Sequence, residues 1–450
     1  MSETIPLLGR PPEAVLFRRG AEAVTAGRFL ADVEALAARL PDRGHALNLC
    51  ADRYNALVAF AAALSRGQPV LLSADRSPRR QAELARAYPD LCPLADAADE
   101  PGWQAPENAL RVLPTAPPGA RGANPAIPAE RIAAIGFTSG STGEPSAHPK
   151  SWAALVAAAR AAGQRFALNS PDGAETTVVA TVPPQHMYGF ETTLVLPLHA
   201  ATASHAGPNF FPVEVAEALR AAPGRRVLVT TPLQMRALLG SGEPMPPLEA
   251  VISATAPLDP ALAAKAEEAW ETQVLEIYGA TEMGSIASRR TVEGPLWQLY
   301  RSVALRRAAG EAMEAVVAGM AAPVPMADAV EMEADGRFRL LGRRTDIVKL
   351  GGKRASLASL NRALCGLEGV EDGVFVVPED LDHNPAARLA VYAVAPGRSA
   401  EDILAALRRE VEAVFLPRAV VLVPSLPRDA VGKLPQHALA GLRRQLAGTA

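Results

Sequence analysis

Short apolar runs alternate with longer stretches of helical spacing along most of the chain. ALNLC (46–50) and PVLLS (69–73) have the length and composition of buried strands, and residues 53–65 between them repeat at helical spacing. AEAVTAGRFLADVEALAARL (21–40) ends in an amphipathic helix. IAAIGF (132–137), TTVVATV (176–182), RVLVT (226–230), EAVIS (249–253) and QVLEIYG (273–279) repeat the strand pattern. Helices are expected among them at SWAALVAAARAAGQRF (151–166), PVEVAEALR (212–220) and PALAAKAEEAW (260–270). This rhythm predicts an α/β fold with parallel-type sheets, because parallel neighbours need a crossover, usually a helix. PTAPPGARGANPAIP (114–128) predicts an exposed loop. The C-terminal part differs: strands at VFVVP (374–378), RLAVYAVAP (388–396) and AVVLVP (419–424), with a helix at EDILAALRREVEAVF (401–415), make a small α+β unit. The switch falls near LLGRRTDIVKLGGKR (340–354), and no internal repeat is visible.

The chain has 450 residues, more than one core usually holds, so two or three domains are expected. A net charge of −3 argues against a general binder of nucleic acid or anionic membrane. The apolar run ALVAFAAAL (56–64) falls far short of the roughly 18–20 residues that span a bilayer. MSETIPLLGR has no basic region followed by an apolar core, so no secretory signal is expected and the location is read as cytoplasmic. Cys50, Cys92 and Cys365 are odd in number and far apart, and they read as reduced, buried thiols rather than a disulfide frame or zinc site. Only five of 45 basic residues are lysine: Lys150, Lys265, Lys349, Lys353 and Lys433. A retained lysine marks a place for a compact charge on a flexible stem, except Lys265, which reads as a surface position on a helix.

FTSGSTGEPSAHPK (137–150) follows the strand at 132–137. Glycines let backbone N–H groups converge on an anion, and hydroxyls add donors. No Lys-Ser or Lys-Thr follows a glycine, so the P-loop pattern of Walker-type NTPases is absent. The stretch resembles the phosphate loop [YF]-T-S-G-[ST]-T-G-x-P-K-G of the adenylate-forming superfamily: acyl- and aryl-CoA synthetases, peptide-synthetase adenylation domains and luciferases. Residues 137–143 match fully, whereas EPSAHPKSW places Lys150 later than the usual lysine. The resemblance implies that Thr138, Ser139, Gly140, Ser141, Thr142 and Gly143 hold the phosphates, with Lys150 as a further candidate.

Other segments follow in the superfamily's order. PPQHMYGFE (183–191) resembles the segment lining the acid pocket, with His186, Tyr188 and Gly189. ATAPL (254–258) resembles the adenine turn G-[GA]-A-P-L, with Ala254 and Thr255 where glycines are usual. Ala254 would border the acid, and Thr255 and Ala256 the nucleotide. YGATEMG (278–284) matches Y-G-x-T-E, which implies that Tyr278 stacks on adenine beside Gly279, Thr281 bonds the α-phosphate and Glu282 helps hold Mg²⁺. A hard cation shared between a carboxylate and substrate phosphates makes physical sense of that glutamate. Asp328 lies 14 residues before Gly342, the spacing of the ribose aspartate, and Arg343 would also meet the ribose. A carboxylate suits a vicinal diol because it accepts two hydrogen bonds. The hinge position is Thr345, and Lys349, Gly351 and Gly352 match the segment that turns to the site for thiolation. PRDAVGKLPQ (427–436) matches P-R-[TN]-x-x-G-K-[LI], which makes Lys433 the counterpart of the catalytic lysine.

The resemblance implies a large N-terminal α/β domain, residues 1–344, joined by a hinge to a small mobile α+β domain, residues 345–450, that carries Lys433. It implies catalysis by Lys433, Thr281 and Glu282, with ATP and Mg²⁺. A carboxylic acid becomes an acyl-adenylate, and the acyl group then passes to a pantetheine thiol of CoA or an acyl carrier protein. Compact length, a short N-terminal region and the loop form TSGSTGEPSAHPKSW resemble the ligases of aryl polyene and xanthomonadin-type pigment clusters, a resemblance that implies a small aromatic acid such as a hydroxybenzoate. A medium-chain fatty acid is the competing substrate. A non-catalytic nucleotide- or acyl-binding protein is the competing class, and the presence of Lys433 argues against it.

Overall fold

A computed structural model describes residues 3–20, 22–96, 99–100, 103–139, 145–168, 175–308, 312–343, 347–350, 353–378, 388–427, 439, 441–442 and 444. The chain divides into two compact units, Met1–Pro325 with Ala334–Arg337, and Met326–Glu333 with Phe338–Ala450.

The first unit holds two main sheets. One runs in the order Pro145–Ser151, Ile132–Ser139, Val70–Leu71, His45–Asn48, Leu91–Ala95, Leu110–Arg111. All neighbours are parallel except the first pair. The other has Thr176–Ala180, Arg225–Thr230, Ala250–Ser253 and Val274–Ala280 side by side and parallel. Gly284–Arg290 continues it antiparallel beyond Val274–Ala280. The α/β expectation holds because these strands are buried on both faces and read as unbroken apolar runs. The helix Arg53–Ser65 is buried almost throughout, and its sequence RYNALVAFAAALS is apolar on every face, as a core helix requires. Asp52 caps it by accepting from the Asn55 amide.

The second unit contains the hairpins Asp328–Met332/Phe338–Arg343 and Ile347–Leu350/Lys353–Ser356. It also holds a three-stranded sheet of Asp372–Val376, Ala390–Val394 and Ala419–Leu422. Helices Leu357–Cys365 and Ala400–Glu410 complete it. The expected helix over 401–415 stops at Glu410, where Val411 turns to extended backbone (φ −130°, ψ 151°) after a last turn carrying Arg408 and Arg409. Those cations suit the negative helix end. The loop expected over 114–128 is irregular to residue 125, but Ala126–Pro128 pairs with Thr4–Pro6. Cys50 and Cys92 are buried as expected, whereas Cys365 is exposed near its helix end, with its Sγ 3.6 Å from the Gly373 carbonyl. No described helix is long and apolar enough to cross a membrane.

Candidate active site

The strand Ile132–Ser139 pairs antiparallel with Pro145–Ser151, with Thr138 opposite Ser146 and Ser139 opposite Pro145. The phosphate-loop candidates Gly140, Ser141, Thr142 and Gly143 lie outside the described residues. The hairpin is tied near its loop end by a 2.9 Å contact between Thr138 Oγ1 and His148 Nε2. Deeper in the same strand, Gly136 lets Thr281 approach: a Cβ there would sit 2.5 Å from Thr281 Cγ2. Gly136→Ala is therefore expected to push Thr281 away and to lower kcat/KM for acid activation by about 10²-fold, since misplacement by ~1 Å costs that much. Steady-state pyrophosphate release against acid concentration checks it.

Lys150 is 2 % exposed, and its ammonium donates to the backbone carbonyl of Glu282. Desolvation lowers its pKa from 10.5 to about 8, with Glu191 and Glu282 opposing the shift. The structure thus places this lysine against the Thr281–Glu282 turn.

Around the adenine-turn candidates, Ala254 is buried while Thr255 and Ala256 are exposed. Thr255 holds φ +79°, a left-handed conformation that a β-branched residue rarely adopts. Such strain persists where the surroundings over-determine it and clusters at functional sites. The turn is pinned by Glu276, 3 % exposed, which accepts from the Leu258 amide at 2.8 Å and from Arg289 and Thr291. Tyr278 leans on the buried Trp297, centroids 5.6 Å apart, and the Arg289 guanidinium lies over the Trp297 ring at 4.6 Å. The Tyr278 ring is therefore braced from behind.

In the second unit, Asp328 and Arg343 stand directly opposite in the antiparallel register of their hairpin, so the two ribose candidates share one position of the ladder. Lys349 lies on the strand Ile347–Leu350. Thr345, Gly351, Gly352 and Lys433 lie outside the described residues.

The segment 183–191 forms the wall between two clefts of the first unit. His186, Met187 and Thr281 line both. His186 caps a short helical turn, its Nδ1 accepting from the Tyr188 amide at 3.3 Å, which leaves the proton on Nε2. Desolvation lowers its pKa, so the ring is neutral at physiological pH. Tyr188 turns its hydroxyl into the core, toward the carbonyls of Ile252 (2.8 Å) and Thr230 (3.2 Å). Gly189 has no room for a side chain against the Pro183 carbonyl. One cleft has about 610 Å³ of empty space and is floored by Ala254, Thr255, Ile277 and Gly279. Of the acid-pocket candidates, His186, Tyr188 and Ala254 line that cleft, together with Thr281 and Gly279.

Two further polar side chains border the cleft without having been singled out in the sequence. Glu191 and Ser285 line it, and they also border a small apolar crevice of about 20 Å³ walled by Phe166 and Tyr300. The visible signal was a lone acid in the apolar run MYGFETTLVLPL. Away from the cleft lining, Arg53 donates to the carbonyls of Ala180 (2.7 Å) and Val182 (2.8 Å) and anchors the strand end before the segment. Desolvation lowers its pKa to about 10.

Among the described residues no group of three or more histidine, cysteine, aspartate or glutamate side chains could hold a metal. A magnesium ion needs only one or two carboxylates when substrate phosphates supply the remaining ligands. The half-buried Glu282, beside Thr281 at the cleft, fits that demand.

Residues 9–313 match the model of the AMP-binding enzyme family. A 4-coumarate–CoA ligase of Halorhodospira halophila is 31% identical over 309 residues, 66% of this chain and 73% of that one. A second 4-coumarate–CoA ligase, of Rhodobacter capsulatus, is 31% identical over 54% of this chain and 60% of its own. The chain belongs to the AMP-binding enzyme family, and within that family it is an AMP-forming acid–thiol ligase. The fold agrees. O-succinylbenzoate CoA synthetase (MenE) of Bacillus subtilis, in complex with ATP and magnesium ion, superposes with TM-score 0.74 at 16% identity, covering 97% of this chain and 100% of that one. ATP-bound MatB of Rhodopseudomonas palustris gives 0.72 at 18% identity over 97% of both.

Proposed function

We propose that the enzyme activates a small aromatic acid, of the hydroxybenzoate kind, as its adenylate and passes it to the pantetheine thiol of CoA or a carrier protein. The observation that carries this reading is the cleft beside Thr281, bordered by His186, Ala254, Ile277, Gly279, Glu191 and Ser285. The two similar 4-coumarate–CoA ligases support an aromatic acid.

The acid enters with its carboxylate toward Thr281 and its ring along Ile277 and Gly279. Attack on the α-phosphorus brings two anions together, at a Coulomb cost that rises as water is excluded. Mg²⁺, when bound through Glu282 and the phosphates, supplies compensating positive charge. Thr281 donates to the α-phosphate, Tyr278 stacks on adenine, and Asp328 with Arg343 takes the ribose. Thr138, Ser139 and the loop through Gly143 hold the departing pyrophosphate. Lys433 bridges the attacking carboxylate and an α-phosphate oxygen, which is positioning plus charge stabilisation. The neutral His186 keeps the acid's carboxylate from finding a competing cation. Thr345 then serves as the hinge, and the face carrying Lys349, Gly351 and Gly352 receives the thiol.

Acid-dependent pyrophosphate release with ATP and Mg²⁺ tests the reading across hydroxybenzoates, cinnamates and fatty acids of graded length. An aromatic acid is expected to exceed every fatty acid in kcat/KM. A fatty acid leading the panel overturns the aromatic assignment.

A further inference from the structure

The turn after the strand Ala250–Ser253 is fixed at both ends. Ser253 stands opposite Glu276 in the parallel register, and the Leu258 amide donates to the Glu276 carboxylate at 2.8 Å. Asp259 then caps the helix Pro260–Trp270 by accepting from the amides of Ala261 and Leu262. Between these anchors the chain passes through Thr255 in the left-handed region, at φ +79°. Glycine or asparagine takes that conformation at little cost, whereas the Cβ of a branched residue crowds the backbone there.

Burial could offset such strain, but Thr255 is exposed, as are Ala256 and Pro257 after it. Packing of the turn therefore does not account for a threonine at this position. What Thr255 does line is the cleft beside Thr281. Ala254, Gly279, Ala280 and Gly284 line the same cleft and carry little or no side chain. Two of them have no room for one. A Cβ on Gly279 would collide with the Gly284 carbonyl, and a Cβ on Gly284 would lie 2.6 Å from Glu191 Oε1. Among these small residues Thr255 supplies the bulk, at a position where glycine would sit with less strain. Residues held in such conformations cluster at ligand clamps, where the strain belongs to the mechanism.

We propose that Thr255 is a specificity-determining residue for the acid: its branched side chain narrows the cleft and excludes acids broader than a single ring. A turn pinned at both ends cannot move aside to relieve the overlap with a larger ligand. By resemblance this turn belongs to the nucleotide, yet Thr255 shares the cleft with His186 and Ile277, where the acid is placed. The inference rests on that placement of the acid and adds what limits its breadth.

Pyrophosphate release with ATP and Mg²⁺ from benzoate and 2-naphthoate tests it, on the wild type and on Thr255→Gly, Thr255→Ala and Thr255→Val. The wild type is expected to favour benzoate. Thr255→Gly and Thr255→Ala should raise kcat/KM for 2-naphthoate relative to benzoate by about 10-fold or more, since a single methylene of pocket shape is worth about 10–200-fold. Thr255→Val keeps the branched shape and should keep the wild-type ratio. A ratio of two acids on one preparation is independent of the folded fraction, so lost stability alone leaves it unchanged. Equal use of the two acids by the wild type overturns the inference. So does an unchanged ratio in both the glycine and alanine variants, or a change confined to the KM for ATP, which would make Thr255 a nucleotide residue only. If a fatty acid leads the wild-type panel, the aromatic assignment falls, and the ratio of a branched to a straight-chain acid in the same variants decides the role of Thr255 separately: a rise supports it and no change overturns it.

Discussion

Replacing Lys433 with alanine is expected to cut acid-dependent pyrophosphate release by about 10²–10³-fold, the usual loss when one preorganised donor to developing charge is removed. ATP binding, read as a thermal shift, should be largely retained, because the base, ribose and phosphate contacts proposed above come from other residues. Lys433 sits in PRDAVGKLPQ, in a chain that uses arginine for all but five of its 45 positive charges. Arginine there would present a rigid planar fork, whereas an ammonium is a compact charge that can sit between two oxygens of different molecules. The acceptor step offers a sharper test. If the lysine acts only in adenylation, acyl transfer from a supplied acyl-adenylate to thiol should survive in the variant. Unchanged pyrophosphate release would remove Lys433 from the chemistry.

Much of the architecture was legible before the coordinates because the central strands are parallel and buried on both faces. RVLVT and EAVIS stand out as apolar blocks, and the structure has strands at Arg225–Thr230 and Ala250–Ser253. The strands that escaped notice are of another kind. Gly284–Arg290 reads GSIASRR and Val303–Arg307 reads VALRR, with polar and charged positions where the strand meets solvent or ion pairs. Pro145–Ser151 contains Pro145 and Pro149, which suit only a sheet edge, and it is indeed an edge strand. Candidate residues divide in the same way. Those in contiguous motifs could be read from their neighbours. Glu191 and Ser285 come from separate segments, and only the folded chain sets them around one cleft.

Lys150→Met should produce the second large effect, and pH separates its causes. The methionine fills similar space but leaves the Glu282 carbonyl without its ammonium donor and Glu191 without its balancing charge. The Thr281–Glu282 turn then loses its support, and kcat/KM is expected to fall by about 10²-fold, as for other small misplacements of reacting groups. The Mg²⁺ concentration for half-maximal rate should rise as well, because the displaced turn carries the proposed metal carboxylate.

The titration has a definite sign. In the fold the ammonium loses its proton near pH 8, whereas in the unfolded chain it holds it to about 10.5. Between those values the unfolded state binds more protons, so wild-type stability gains from this group as pH rises. Below pH 8 both states are charged and the full desolvation penalty applies. Activity moves the opposite way, falling above pH 8 as the charge that balances Glu191 and Glu282 disappears. Thermal unfolding and pyrophosphate release from pH 7 to 10 should therefore diverge in the wild type and lose this divergence in Lys150→Met. An alkaline activity limb that persists unchanged in the variant would assign it to another group and leave Lys150 a packing role only.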